Sequence, residues 1–138
     1  MTKYRALWPV VCLGLIAAIP SARPQSTCSQ QIGFDVVPPS GRGPDSRGNI
    51  GGKICGLPSI QGLKVVVYAH TDEWYVQPLI DAPFTDIAPD GMWSTWTHLG
   101  SRYAVLLVRP SFSPPAKVVS LPQIGGDVVA RAEVPARE

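Results

Sequence analysis

Beyond residue 31 the chain reads as short apolar runs, each broken by Pro, Gly or an acidic turn residue. Residues 32–37 make the first run, and Pro38-Pro39 stops it. A loop-like mix of Gly, Pro and Arg covers 40–46. Residues 47–56 predict a second strand with Ile50 and Ile54 inward and Lys53 outward. Gly51 and Gly52 within it mark a bulge or a close backbone approach. Residues 63–70 contain Val65-Val66-Val67-Tyr68, β-branched and aromatic and apolar on both faces, as a central strand should be. Residues 74–77 alternate, with Trp74 and Val76 on one face and Tyr75 and Gln77 on the other. Two further runs, 84–88 and 92–97, flank Pro89-Asp90-Gly91, a strong hairpin signal. Residues 103–109 repeat the central-strand pattern. A Pro-rich connection then leads to Gly126.

Residues 127–134 predict the last strand, with Val128, Ala130, Ala132 and Val134 inward and Val129, Arg131 and Glu133 outward. Residues 135–138 form a tail expected to be poorly ordered. No helical period is sustained in this region. Fifteen Pro and thirteen Gly among 138 residues argue the same way. The pattern predicts an all-β fold, an Ig-like antiparallel β-sandwich of about seven to eight strands over 32–134.

The first residues read differently. Lys3 and Arg5 precede an apolar run over 6–19, with small residues at Ser21 and Ala22. Such a run is too short for an ordinary membrane span and fits an export signal, assigned to 1–22 and cleaved somewhere between Ala18 and Ser26. An uncleaved anchor helix is the alternative. Residues 23–31 then form a linker. Cleavage removes Lys3 and Arg5, so the formal charge of +2 falls to ten basic against ten acidic residues. No basic stripe remains, which argues against nucleic acid and against stable membrane insertion of the mature chain. The expected location is secreted or periplasmic. Cleavage also removes Cys12 and leaves Cys28 and Cys55, for which a disulfide is expected; two free buried thiols are the alternative.

Signatures of catalysis are missing from the sequence. There is no G-x-S-x-G, H-E-x-x-H, P-loop or dinucleotide fingerprint. His70 and His98 together with Asp72 could in principle ligate a metal, and carboxylates among Asp72, Glu73, Asp86 and Asp90 could be paired for glycoside hydrolysis. Strand-end His and turn acids are the commoner explanation of both. The expectation is a non-enzyme without metal or cofactor.

Aromatics are more informative. Trp74, Tyr75, Trp93, Trp96 and Tyr103 fall within thirty residues. On the 92–98 strand Trp93 shares a face with Thr95 and Thr97, and Trp96 shares the other with Ser94 and His98. Only one of the two indoles can be fully in the core. Trp93 is expected there, with Trp96 outward. Trp96 and His98, with Trp74 or Tyr75, are the candidate ligand-binding residues, since a flat exposed aromatic suits stacking on a sugar ring. Covering a sheet edge or packing under the 110–126 connection is the plainer use of these rings.

A resemblance appears at these residues. Val65-Val66-Val67-Tyr68, Trp74-Tyr75-Val76-Gln77-Pro78, Pro83-Phe84-Thr85-Asp86-Ile87, Asp90-Gly91-Met92-Trp93 and Tyr103-Ala104-Val105-Leu106-Leu107-Val108 resemble a small Ig-like module. Phe112-Ser113-Pro114-Pro115 and Leu121-Pro122 fit the same pattern. Modules of this kind occur in exported bacterial proteins and beside family-16 glycoside hydrolases. The resemblance implies an accessory binding role without chemistry of its own. Its best ligand would be a polysaccharide or cell-envelope glycan. The alternative is a structural or protein-interaction domain of the envelope.

Overall fold

A computed structural model describes residues 31–138, together with Gly14. The expected signal segment, the linker before Gln31 and Cys28 therefore lie outside the described residues. The described chain is all-β. Its strands are β1 (Ile32–Val36), β2 (Arg47–Ile54), β3 (Lys64–His70), β4 (Trp74–Gln77), β5 (Phe84–Thr85), β6 (Met92–His98), β7 (Arg102–Val108), β8 (Lys117–Val118) and β9 (Val128–Pro135). Every strand pairing is antiparallel. One sheet has the order β1-β2-β6. The other runs β8-β4-β3-β7-β9, with β5 added to β3. β8 was not anticipated: it is a two-residue strand inside the Pro-rich connection, too short to leave a period in the sequence.

The two sheets pack as a sandwich. Ile32, Ile50, Ile54 and Trp93 of the first sheet meet Val65, Val67, Tyr103, Val105 and Leu107 of the second, all buried. β3 and β7 are apolar on their other face as well. There Val66, Tyr68, Ala104, Leu106 and Val108 form a second buried layer. Its cover is the 110–126 connection, which lays Phe112, Ala116, Val118 and Leu121 on the sheet. Polar contacts hold the cover in place. The Tyr68 hydroxyl donates to the Pro115 carbonyl at 2.8 Å, and Arg131 Nη1 donates to the Pro122 carbonyl at 3.2 Å. The central sheet thus has a core on each side.

The apolar runs of β3, β7 and β9 are buried as expected, through Val65, Val67, Ala104, Leu106, Val108, Val128 and Ala130. The faces in β9 are not those that alternation gives. Leu107 pairs with Ala130 but Val108 with Val128, so Val129 is the extra residue of a bulge in β9. The bulge turns Val128 into the second layer, whereas Ala130 and Ala132 face the first. Strict alternation would place all three on one face. The C-terminal tail also differs from expectation. Ala136 N–H donates to the Ser101 carbonyl and Arg137 N–H to the Pro38 carbonyl, each at 3.0 Å, which ties the end of the chain down beside β1.

Two details show why the chain turns where it does. In the connection from β6 to β7 the Tyr103 hydroxyl donates to the Pro39 carbonyl at 2.8 Å and accepts from Gly100 N–H at 3.0 Å. A Tyr so placed at the start of this strand is a corner-fixing device of Ig-like sandwiches. Gly52 is required by the close pass of β1, since a Cβ there would lie 1.8 Å from the Gly33 carbonyl oxygen. A register shift between Phe34 and Val36 sits opposite it, as the paired glycines suggested.

Candidate functional site

On the β1/β9 side of the sandwich the tail bonds to the segment that follows β1. On the other side β6 ends the first sheet, and the chain from Pro78 to Pro83 runs past it. A cleft of about 730 Å³ opens there, walled by Ala69, Tyr75, Pro78, Leu79 and Leu99, with His98 at its rim. Ile80 at the mouth is 73% exposed, the highest among the large apolar side chains on this side. A second cavity of about 640 Å³ adjoins it through Gly43 and Thr71, and it is polar, with Ser40, Arg42, Asp72 and Ser101.

Gln77 organises the apolar cleft. Its side chain is buried. Oε1 accepts from the His98 backbone N–H at 2.9 Å and meets His98 Nδ1 at 2.9 Å, while Nε2 donates to the Tyr75 carbonyl at 3.3 Å. A backbone N–H can only donate, so this amide orientation is forced. Nδ1 must then carry a hydrogen, which leaves His98 Nε2 as the ring atom free to meet a ligand. Sequence reading put Gln77 on a strand face and gave it no role; an amide bridging two sheets leaves no local signal.

Tyr75 stands at the meeting of the two cavities. Its hydroxyl is hydrogen-bonded to the Asp72 carboxylate, and this bond first of all, with some desolvation, raises the Tyr75 pKa above its ordinary value. The same bond, reinforced by Thr71 Oγ1 at 3.0 Å, holds the Asp72 carboxyl below its ordinary value. The Lys117 ammonium lies 5.8 Å from the Tyr75 ring centroid and 3.7 Å from Glu73 Oε2.

The residues singled out in the sequence divide three ways. Tyr75 and His98 line the same cleft. Trp96 lies beside them on the outer face of β6, edge-on to His98 with ring centroids 5.2 Å apart. It is half-buried, and the Arg47 guanidinium stacks over it at 4.6 Å. Trp93 is in the core at 2% exposure, T-shaped against Phe34. Trp74 is separated from the others: it is buried at 7% exposure in the second layer, edge-on to His70 at 4.9 Å. Trp74 and Trp96 therefore share no surface, because they belong to different sheets and Trp74 packs under the 110–126 cover. Of the two cysteines expected to pair, only Cys55 is among the described residues, just after β2. Its N–H donates to the Gln31 carbonyl at 3.0 Å.

The free edge of β6 is the feature that sequence reading missed. Leu99 N–H bonds to the Ser46 carbonyl at one end of the β2–β6 ladder, and Ile54 N–H bonds to the Gly91 carbonyl at the other. In the observed register these two bonds fix the phase of the ladder. Trp93, Thr95 and Thr97 turn their backbone groups to β2. Met92, Ser94, Trp96 and His98 turn theirs outward. The outermost two are satisfied: Met92 N–H by Asp90 Oδ1 at 3.0 Å and its carbonyl by Ala88 N–H at 2.8 Å, and His98 N–H by Gln77. For Ser94 and Trp96 no partner stands among the described residues.

Comparison with protein-family models, curated proteins and solved structures yields no match.

Proposed function

We propose that this protein is an exported, non-catalytic binding module whose partner is a polypeptide, engaged on the open β6 side of the sandwich. The observation that carries this reading is the apolar cleft between the sheets, with Leu79 45% and Ile80 73% exposed at its mouth and a free strand edge beside it. Apolar side chains left open at a sandwich edge are costly in water and suit a partner that covers them. The resemblance to Ig-like accessory modules agrees with a role in recognition rather than chemistry. A Cys28–Cys55 disulfide belongs to the same proposal, since export would place the chain where disulfides persist. Three residues from Gln31, Cys28 is within roughly 10 Å of the Cys55 neighbourhood at full extension.

Selection from a random-peptide display library on the full chain tests this reading. The expected result is a family of peptides whose affinity falls at least tenfold on the double change Leu79→Glu and Ile80→Glu, both at exposed positions. A selection that enriches nothing would overturn it. A glycan partner is the second reading, favoured by the polar cavity of Arg42, Asp72 and Ser101, whose Asp72 carboxylate meets the Tyr75 hydroxyl. Binding on a glycan array that is lost with Tyr75→Ala would support it over the first.

A further inference from the structure

To a polypeptide partner, β6 offers more than the apolar cleft beside it. Two backbone N–H groups and two carbonyls, those of Ser94 and Trp96, face outward on β6 without a partner among the described residues. They are two residues apart, roughly 7 Å, the repeat at which a strand presents successive bonding positions on one edge. A neighbouring strand would find four ready bonds. The edge is bounded at both ends by structures that already use the same ladder direction: the Asp90 turn at Met92 and the Gln77 amide at His98.

A cavity lies beside each bound. The cleft at Leu79 adjoins the His98 end. A smaller cavity of about 360 Å³, lined by Ile87, Ala88, Met92 and Trp93, adjoins the Met92 end. From Met92 to His98 is six residue steps, roughly 20 Å, so one extended segment of about seven residues reaches both. Exposed acids stand at the two ends: Asp81 on the cleft, and Asp90 in the turn, neither with an ion-pair partner among the described residues. Asp86, on the smaller cavity, is paired with Lys64.

We infer, on the premise that the partner is a polypeptide, that the edge of β6 takes up an extended segment of it as an added strand. The segment bonds to Ser94 and Trp96, with apolar residues entering the two cavities and basic residues near its ends. Main-chain bonds supply affinity in this mode, and the pockets for alternate side chains supply selectivity. Asp81 and Asp90 favour basic over acidic residues at the two ends of the segment, while the Arg47 guanidinium over Trp96 disfavours basic ones beside that ring.

The test uses the full chain and a blocked seven-residue peptide alternating valine and lysine. Amide hydrogen exchange and NMR shifts are read residue by residue. The peptide should slow exchange at the Ser94 and Trp96 amides at least tenfold. The same peptide N-methylated at alternate residues, on the edge that faces β6, should bind at least tenfold more weakly, and this comparison needs no change to the protein. A valine–glutamate peptide should also bind at least tenfold more weakly. Ser94→Pro removes one outward N–H at a position that does not serve the β2 ladder, and should abolish binding. Equal binding of the N-methylated peptide, or unchanged exchange at Ser94 and Trp96, would overturn the inference. If peptides shift only Leu79 and Ile80, the polypeptide reading stands and the added strand falls. If the two amides are protected without peptide and in proportion to protein concentration, the occupant is a second copy of the chain and the inference is wrong.

Discussion

Leu106 and Leu107 are neighbours in β7, both 0% exposed, but they point into different cores. Truncating either to Ala should therefore be costly. Each change removes the equivalent of about three methylene groups, roughly 2.4 kcal/mol of transfer free energy at about 0.8 kcal/mol each. A cavity term adds to this, about 1 kcal/mol for each 40 Å³ that the surroundings fail to fill. The two walls differ in how well they can collapse. Leu107 sits between two sheets braced by strand pairing, which should relax little. Leu106 lies under a connection rich in Pro, anchored by the Tyr68–Pro115 and Arg131–Pro122 bonds but otherwise carrying little regular structure. We expect about 4 kcal/mol for Leu107→Ala and about 3 kcal/mol for Leu106→Ala, within the range found for buried Leu. Urea unfolding of the full chain, without added reductant, reads both through the midpoint at constant slope. A Leu106→Ala loss below about 1 kcal/mol beside a large Leu107→Ala loss would show that the 110–126 connection does not seal a second core in solution. The two-core description would then fail.

Two further outcomes are expected. Burial pushes the Tyr68 hydroxyl up to about 12, so the folded state holds this proton more tightly than the unfolded chain does. The stabilisation it brings is complete below pH 10 and is lost as pH rises from 10 towards 12. Ultraviolet titration should show one tyrosine ionising last, and Tyr68→Phe should remove that step and flatten the alkaline fall in stability; an unchanged profile would refute the assignment. For the disulfide, unreduced mass spectrometry of the exported protein should find Cys28 linked to Cys55, and Cys28→Ser should destabilise by roughly 3–4 kcal/mol for a closed loop of about 27 residues. Free Cys28 in that protein would refute the pairing.

Most strands were legible because their signals are local. The unbroken apolar runs of β3 and β7, the Asp90-Gly91 turn and the alternation around Ile50 and Ile54 each declare strand and face within a few residues. That Trp93 and Trp96 lie on opposite faces of β6 followed from the same period of two, and Trp93 is the one in the core. The rest depended on what lies across a sheet or beyond its edge. A one-residue bulge at Val129 reverses the face of Val128, and nothing in the run of apolar residues marks it, because either face is apolar there. Trp74 alternates as neatly as Trp96 but is covered by a Pro-rich segment more than thirty residues on, so exposure could not be read from its own strand. Which backbone groups on β6 remain open depends on the phase of its ladder with β2 and on the Gln77 amide arriving from the other sheet. The sequence by itself determined that this chain makes strands and where they turn, since steric preference and alternation act between near neighbours. Only the tertiary structure decided which aromatics share a surface, where a cleft opens and which backbone groups of β6 face away from β2, since those depend on contacts between residues far apart in the chain.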